Sequence, residues 1–106
     1  MRGKKKRGFS LEEFVSDSEV ALRLSGRVDS AASAVLGPAC AKLFEADYWI
    51  MIDLTNVPST DGVGLQLLVA LQRVGATLIN VPIDIAREIE IASKKRLWSS
   101  RCYGSG

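Results

Sequence analysis

Four residues that lie close together in the chain could take part in chemistry: Asp53, Ser59, Thr60 and Asp61. A serine or threonine hydroxyl acts as a nucleophile when a neighbouring base removes its proton, and histidine usually supplies that base. The 106 residues include no histidine. Nothing in the spacing of the two aspartates marks them as a general acid and base pair. The sequence therefore predicts no catalytic residues.

Other kinds of site receive no more support. No Gly-x-x-x-x-Gly-Lys phosphate-binding loop is present in the sequence. Cys40 and Cys102 are too far apart to form a metal-ligand motif, and we expect one buried thiol and one thiol in a tail, in a reducing compartment. We expect no metal and no cofactor. The basic start is not followed by an apolar segment, and no apolar run is long enough to cross a membrane. We therefore expect a cytoplasmic protein without a transmembrane segment.

Charge is segregated along the chain. Residues 2–7 include five basic residues, and residues 94–101 include four. The stretch between them has five basic residues against all 12 acidic ones, which is a net charge of about −7. Blocks of like charge at the ends of a chain are usually solvated tails. The alternative is that they contact nucleic acid or an anionic membrane. Because no aromatic residue interleaves with the basic runs, we expect no nucleic-acid partner.

Hydrophobic periodicity predicts elements in the order β-β-α-β-α-β-α. The first strand is the least defined and could be a loose lead-in, and Gly37-Pro38 should kink or restart the first helix. This order implies an α/β fold with an open, mostly parallel sheet of about four strands and helices packed on it. The predicted elements are strands over 9–15, 20–24, 49–54 (buried between helices) and 76–81, and helices that begin near 30, 62 and 83, the last ending near 96. The corresponding division is a basic tail with a possible first strand over 1–13, a domain over 14–97 and a tail over 98–106.

Residues 53–73 are the predicted functional segment, because a polar loop after a central strand leads directly into a helix. In open α/β sheets, sites tend to lie where the strands end. The helix should bury Gly64, Leu68 and Leu71. Its other side has an apolar stripe where a surface helix would be polar, which indicates a protein contact, unless the same chain covers it. The stripe consists of Val63, Gln66, Ala70 and Arg73, flanked by Leu67, Val69 and Val74.

Three motifs in this order and spacing resemble the STAS domain family. Residues 20–29 (VALRLSGRVD) are similar to the opening strand of the family, which is followed by Gly-x-apolar-Asp. Residues 50–65 (IMIDLTNVPSTDGVGL) resemble its central signature, in which a strand ending in Asp-Leu precedes Asp-Ser-Ser-Gly-Leu. Residues 75–82 (GATLINVP) match the next strand. The resemblance extends over about residues 14–97, although family members usually continue into a further strand and helix.

The resemblance implies a non-catalytic, protein-binding regulator of the anti-sigma factor antagonist type. Such proteins bind a kinase-like anti-sigma factor in a partner-switching circuit that regulates bacterial transcription, and phosphorylation of the second serine of Asp-Ser-Ser-Gly stops binding. Here Gly62 and Val63 replace the two serines, so the phosphoacceptor position is occupied by a residue that cannot be phosphorylated. Ser59 and Thr60 are weak alternatives. Asp61 is expected to cap the helix, and residues 59–63 together with Gln66, Ala70 and Arg73 are the expected partner-binding residues.

Two other functions are compatible with an α/β domain of this size. The first alternative is the STAS subunit of a bacterial phospholipid-transport ABC complex, which would bind an ABC transporter ATPase and would suit the basic ends. The second is a phosphorelay receiver with Asp53 as its acceptor, but the acidic pair that a receiver needs after its first strand is missing at 25–27. A homodimer is compatible with either STAS function.

Overall fold

The structure is a computed structural model that describes the backbone of residues 2–6 and 8–104 and the side chains of residues 8–94. Eight elements follow one another along the chain. They are β1 (Arg2–Lys6), β2 (Phe9–Ser16), β3 (Glu19–Gly26), α1 (Ser30–Glu45), β4 (Trp49–Asn56), α2 (Gly62–Arg73), β5 (Thr77–Ile79) and α3 (Ile83–Gly104).

The sheet is open and its strands lie in sequence order, from β1 at one edge to β5 at the other. The pairs β1–β2 and β2–β3 are antiparallel, whereas β3–β4 and β4–β5 are parallel. The expected α/β fold is confirmed, because β2 to β5 are the four predicted strands and two of their three pairings are parallel. β5 is shorter than the predicted strand, and its Leu78 and Ile79 are only half-buried because it lies at the edge.

The two basic ends are not simple tails. The run that we expected to be a tail forms β1, with Arg2 opposite Glu13 in the β1–β2 register. Lysine-rich segments are common on edge strands, where they discourage pairing with other chains. At the other end, α3 continues to Gly104 and includes most of the second expected tail. No proline or glycine interrupts the sequence between Pro82 and Gly104, so nothing in the local sequence ends this helix earlier.

The core lies on one face of the sheet. Alternate side chains of the strands point to opposite faces, and in β4 the buried residues are Ile50, Ile52 and Leu54. The expectation that β4 is buried on both faces is wrong, because Trp49 is 66% exposed. The core cluster joins this sheet face to residues of all three helices, which include Leu36, Leu68 and Ile85.

The first helix is uninterrupted despite its proline. Asp29 caps α1 by accepting a hydrogen bond from the amide of Ala32 at 2.9 Å, and Pro38 lies inside the helix. The predicted restart at Pro38 is therefore wrong. Cys40, two residues later, is fully buried in the core. Burial, and then the charge of Glu13, raise the pKa of the Cys40 thiol to about 12, so it stays protonated at neutral pH and is a packing residue.

Candidate docking site at the carboxyl edge of the sheet

The site begins where two loops meet at the carboxyl edge, the edge at which the parallel strands β3, β4 and β5 end. The loop between β3 and α1 and the loop between β4 and α2 form an isolated parallel bridge, Val28 with Thr60. The Val28 amide donates to the Ser59 carbonyl at 3.1 Å, and the Asp61 amide donates to the Val28 carbonyl at 3.2 Å. These backbone bonds extend the β3–β4 pairing beyond the strands and fix the point from which α2 begins.

Asp61 binds the first turns of two helices with one carboxylate. Its Oδ1 accepts a hydrogen bond from the Gly64 amide at 2.8 Å, which caps α2. Its Oδ2 accepts one from the Ser30 amide at 3.2 Å, at the beginning of α1. The predicted cap at Asp61 is confirmed, and the second bond was not foreseen. Amides at a helix start lack partners within the helix, so Asp61 satisfies one donor in each.

Gly64 brings α2 against the loop before α1. A methyl group on Gly64 would overlap the backbone carbonyl oxygen of Val28, so only glycine permits this approach. By contrast, a methyl group on Gly62 would meet no atom within 4 Å. Our sequence reasoning placed Gly64 on the inner face but missed the contact. The sequence feature that could have revealed this contact is a glycine in the first turn of a helix, because alanine would stabilise the helix more at that position.

The outer face of α2, defined by Val63, Gln66, Ala70 and Arg73, is exposed, and no other described residue covers it. Val63 has 54% of its surface accessible. The predicted inner residues Gly64, Leu68 and Leu71 are buried. Two flanking predictions need correction: Val69 is only 3% exposed and belongs to the core, and Leu67 is half-buried. The apolar stripe is thus narrower than expected, because α2 contacts α1 on one side and α3 on the other.

The hydroxyls beside this helix differ in accessibility. Thr60 Oγ1 is buried and has no hydrogen-bond partner among the described residues. A kinase could reach it only after the loop opened. Ser59 is half-buried, and its carbonyl takes part in the bridge to Val28. Val63 lies on the exposed first turn of α2.

Asp53 forms a separate polar cluster on β4. Its Oδ1 accepts hydrogen bonds from the Thr55 hydroxyl at 2.6 Å, the Thr55 amide at 2.9 Å and the Asn80 amide group at 3.4 Å. The Thr55 hydroxyl and then the Thr55 amide lower the pKa of Asp53, against a small opposing effect of burial. Sequence reasoning did not identify Thr55 or Asn80 as partners. The two Thr55 bonds lie within β4, and the Asn80 bond ties β4 to the residue that follows β5.

Neither protein-family models nor curated proteins give a match to this chain. Solved structures do. The anti-sigma factor antagonist SpoIIAA in its unphosphorylated form matches with a TM-score of 0.52 and 18% identity, over 76% of this chain and 94% of that one. The chain has the SpoIIAA-like, STAS-type fold. The crystal structure of Mglu also matches, with a TM-score of 0.55 and 21% identity over 67% of this chain. The chain spans only 19% of the Mglu chain.

Two kinds of feature are absent from the described residues. No described helix is long and apolar enough to cross a membrane. Among the same residues, no group of three or more histidine, cysteine, aspartate or glutamate side chains is arranged to hold a metal ion.

Proposed function

We propose that this chain is a non-catalytic, protein-binding regulator of the anti-sigma factor antagonist type, which binds a kinase-like anti-sigma factor in a partner-switching circuit. The observation that supports this most directly is the uncovered outer face of α2, which begins at the carboxyl edge of a SpoIIAA-like sheet. The fold alone does not identify a function. The proposal therefore depends on this surface.

The chemistry of the surface suits a polypeptide partner. Val63 and Ala70 offer small apolar contacts, Gln66 can donate and accept hydrogen bonds, and Arg73 supplies the one charge at the far end. Protein interfaces usually have few charged residues at the centre and polar groups around the rim. The bridge of Val28 with Thr60 and the double cap of Asp61 hold the start of the helix in place, so binding costs little conformational entropy.

The proposed regulator works without a phosphoserine. Phosphorylation of a residue at this helix start would add almost two negative charges to the surface and oppose docking. Val63 occupies that place and has no hydroxyl. Ser59 and Thr60 stay weak alternatives, with the Thr60 hydroxyl hindered by burial. We therefore propose that the chain stays competent to bind while ATP is present. A cytoplasmic location in a bacterial cell is part of the same proposal, since such partners act there.

The test is binding of the purified chain to a purified kinase-like anti-sigma factor from the same organism, measured by isothermal titration calorimetry. We expect a stable complex in buffer and the same affinity after incubation with Mg-ATP. Release that depends on ATP would contradict the non-phosphorylatable mechanism. If the chain bound the purified ATPase of a phospholipid-transport ABC complex and did not bind the anti-sigma factor, the alternative function would replace the one proposed here.

A further inference from the structure

A second surface lies at the opposite end of the domain, at the amino edge, where β3, β4 and β5 begin. A groove of about 410 Å³ is lined there by Phe44, Asp47, Tyr48, Trp49, Val74 and Gly75. Its volume is within the range of ligand-binding clefts. Val74 of the lining follows Arg73 of the outer face of α2, so the two surfaces adjoin at the end of that helix.

The groove is built from the matching ends of two helices. After α1, Asp47 is left-handed with φ 62°, and the Tyr48 amide donates to the Leu43 carbonyl at 3.0 Å. After α2, Gly75 has φ 117°, and the Ala76 amide donates to the Leu71 carbonyl at 2.9 Å. Both helices therefore end in the same kind of turn. Their negative dipole ends lie on either side of the groove and favour a cation between them.

Carboxylates outnumber basic groups at this edge. Glu45 is the last residue of α1 and Asp47 follows it after Ala46. Asp17 lies in the adjoining turn and Glu19 begins β3, and between them the Ser18 carbonyl accepts a hydrogen bond from the Trp49 amide at 2.8 Å. None of these four carboxylates forms an ion pair among residues 8–94, where Glu90 pairs with Lys94. The basic residues of the last helical turns, Lys42 and Arg73, are exposed and are not part of the groove lining.

Three of the six lining residues are aromatic. Phe44 and Tyr48 are half-buried against the core, whereas Trp49 is 66% exposed at the edge of the groove. A planar cation stacked on an indole and paired with a carboxylate gains both cation–π and ion-pair energy. A neutral apolar occupant would instead remove water from Asp47 without giving its charge a partner, which is costly.

We propose that this amino-edge groove binds an arginine side chain presented by a partner polypeptide. The guanidinium lies against the indole of Trp49 and pairs with the carboxylate of Asp47. Arginine fits better than lysine because its guanidinium is flat, weakly hydrated and able to donate two parallel hydrogen bonds to one carboxylate. The proposal does not depend on the identity of the partner that binds α2.

The probe is a blocked pentapeptide with one central arginine among alanines, titrated into the 15N-labelled full chain and followed by NMR. We expect saturating shifts of the Trp49 indole and the Gly75 amide. A peptide with citrulline, which has a similar shape without the charge, should bind about tenfold more weakly, and a lysine peptide should also bind more weakly. Equal binding of the citrulline peptide or of the lysine peptide would overturn the assignment, as would shifts confined to the outer face of α2.

Variants separate the two contacts. Asp47→Asn removes the charge but keeps a residue that tolerates the left-handed turn, and it should weaken arginine binding about three- to tenfold. Trp49→Leu keeps apolar bulk without the indole and should weaken binding by a similar factor. Asp84→Asn, an exposed aspartate on α3 that is not part of the groove lining, is the matched control and should bind as the parent does. Unchanged affinity in Asp47→Asn with a native spectrum would refute the site.

Discussion

Asp61 Oδ2 accepts a hydrogen bond from the Ser30 amide at 3.2 Å, so the residue that caps α2 also holds the first residue of α1. Ser30 and Asp61 are 31 residues apart in sequence, and through this bond the two helix starts share one carboxylate. Any partner that docks on the start of α2 therefore meets a surface whose position depends on α1 as well.

Asp61→Ala should destabilise the domain by about 1–2 kcal/mol, because it removes the cap of α2 and the bond to α1 together. Asp61→Asn should cost less, since asparagine is also a good capping residue. Urea denaturation followed by circular dichroism measures both changes. Asp84→Ala in the first turn of α3 is the control for loss of an exposed carboxylate, and it should change stability by less than about 0.5 kcal/mol. Equal losses in the two alanine variants would show that the double cap is unimportant.

Gly64→Ala should also destabilise the domain, even though alanine favours a helix by about 1 kcal/mol over glycine. The added methyl group overlaps the Val28 carbonyl, and moving that backbone would disturb the bridge to Thr60. We expect a net loss of about 1–3 kcal/mol, as for an overpacked core. Gly62→Ala places the same group in open space two residues earlier and should be neutral or slightly stabilising. Thermal unfolding of the pair is the measurement, and a stabilised Gly64→Ala protein would contradict the close approach.

The sequence predicts the elements of the fold but not the contacts of Asp61 and Gly64 between them. The alternation of Ile50, Ile52 and Leu54 and the helical spacing of Leu68 and Leu71 locate β4 and α2, because burial imposes those periods. The bond between Asp61 and Ser30 joins residues that are distant in the chain, and no local pattern encodes it.

The errors have physical causes as well. Residues 2–6 have no apolar alternation, so their pairing follows from the free edge of β2 and not from their own pattern. Val69 seemed to belong to an exposed stripe because a simple amphipathic helix buries only one face. α2 contacts both α1 and α3, so a wider arc of its surface is covered.

Replacing Thr55 should change how Asp53 titrates. The Thr55 hydroxyl is the largest influence that lowers the pKa of Asp53, so Thr55→Val should move that pKa back up towards the ordinary aspartate value. NMR titration of the Asp53 carboxyl carbon measures this directly. A group whose pKa is lowered on folding contributes stability that is present above the unfolded-state pKa and is lost as the pH falls through the folded-state pKa. The parent protein should therefore lose more stability than the variant on acidification below about pH 4.

An unchanged Asp53 pKa in Thr55→Val would mean that the Thr55 amide and Asn80 are sufficient to hold the carboxylate. Asn80→Ala provides the comparison, since its hydrogen bond is longer at 3.4 Å and it affects the Asp53 pKa less than Thr55 does. The order of the two effects, Thr55 greater than Asn80, is the specific expectation. Asp53 is half-buried, so solvent still screens its charge and keeps its contribution to stability small.

Val63→Asp tests the docking face by placing a single negative charge on it. Position 63 corresponds to the phosphoserine of the STAS signature that residues 50–65 resemble. The carboxylate should be tolerated in the free protein, because acidic residues are favourable in the first turn of a helix. In the complex, the same charge would lose water against an apolar contact, so affinity for the anti-sigma factor should fall by about tenfold or more. Val15→Asp is a matched control, since Val15 is 58% exposed, close to the 54% of Val63, but lies on β2. Calorimetric titration of both variants, after circular dichroism has established that they fold, should show a loss only for Val63→Asp. Equal affinities would remove the outer face of α2 from the interface, whereas equal losses would indicate a general effect of added negative charge.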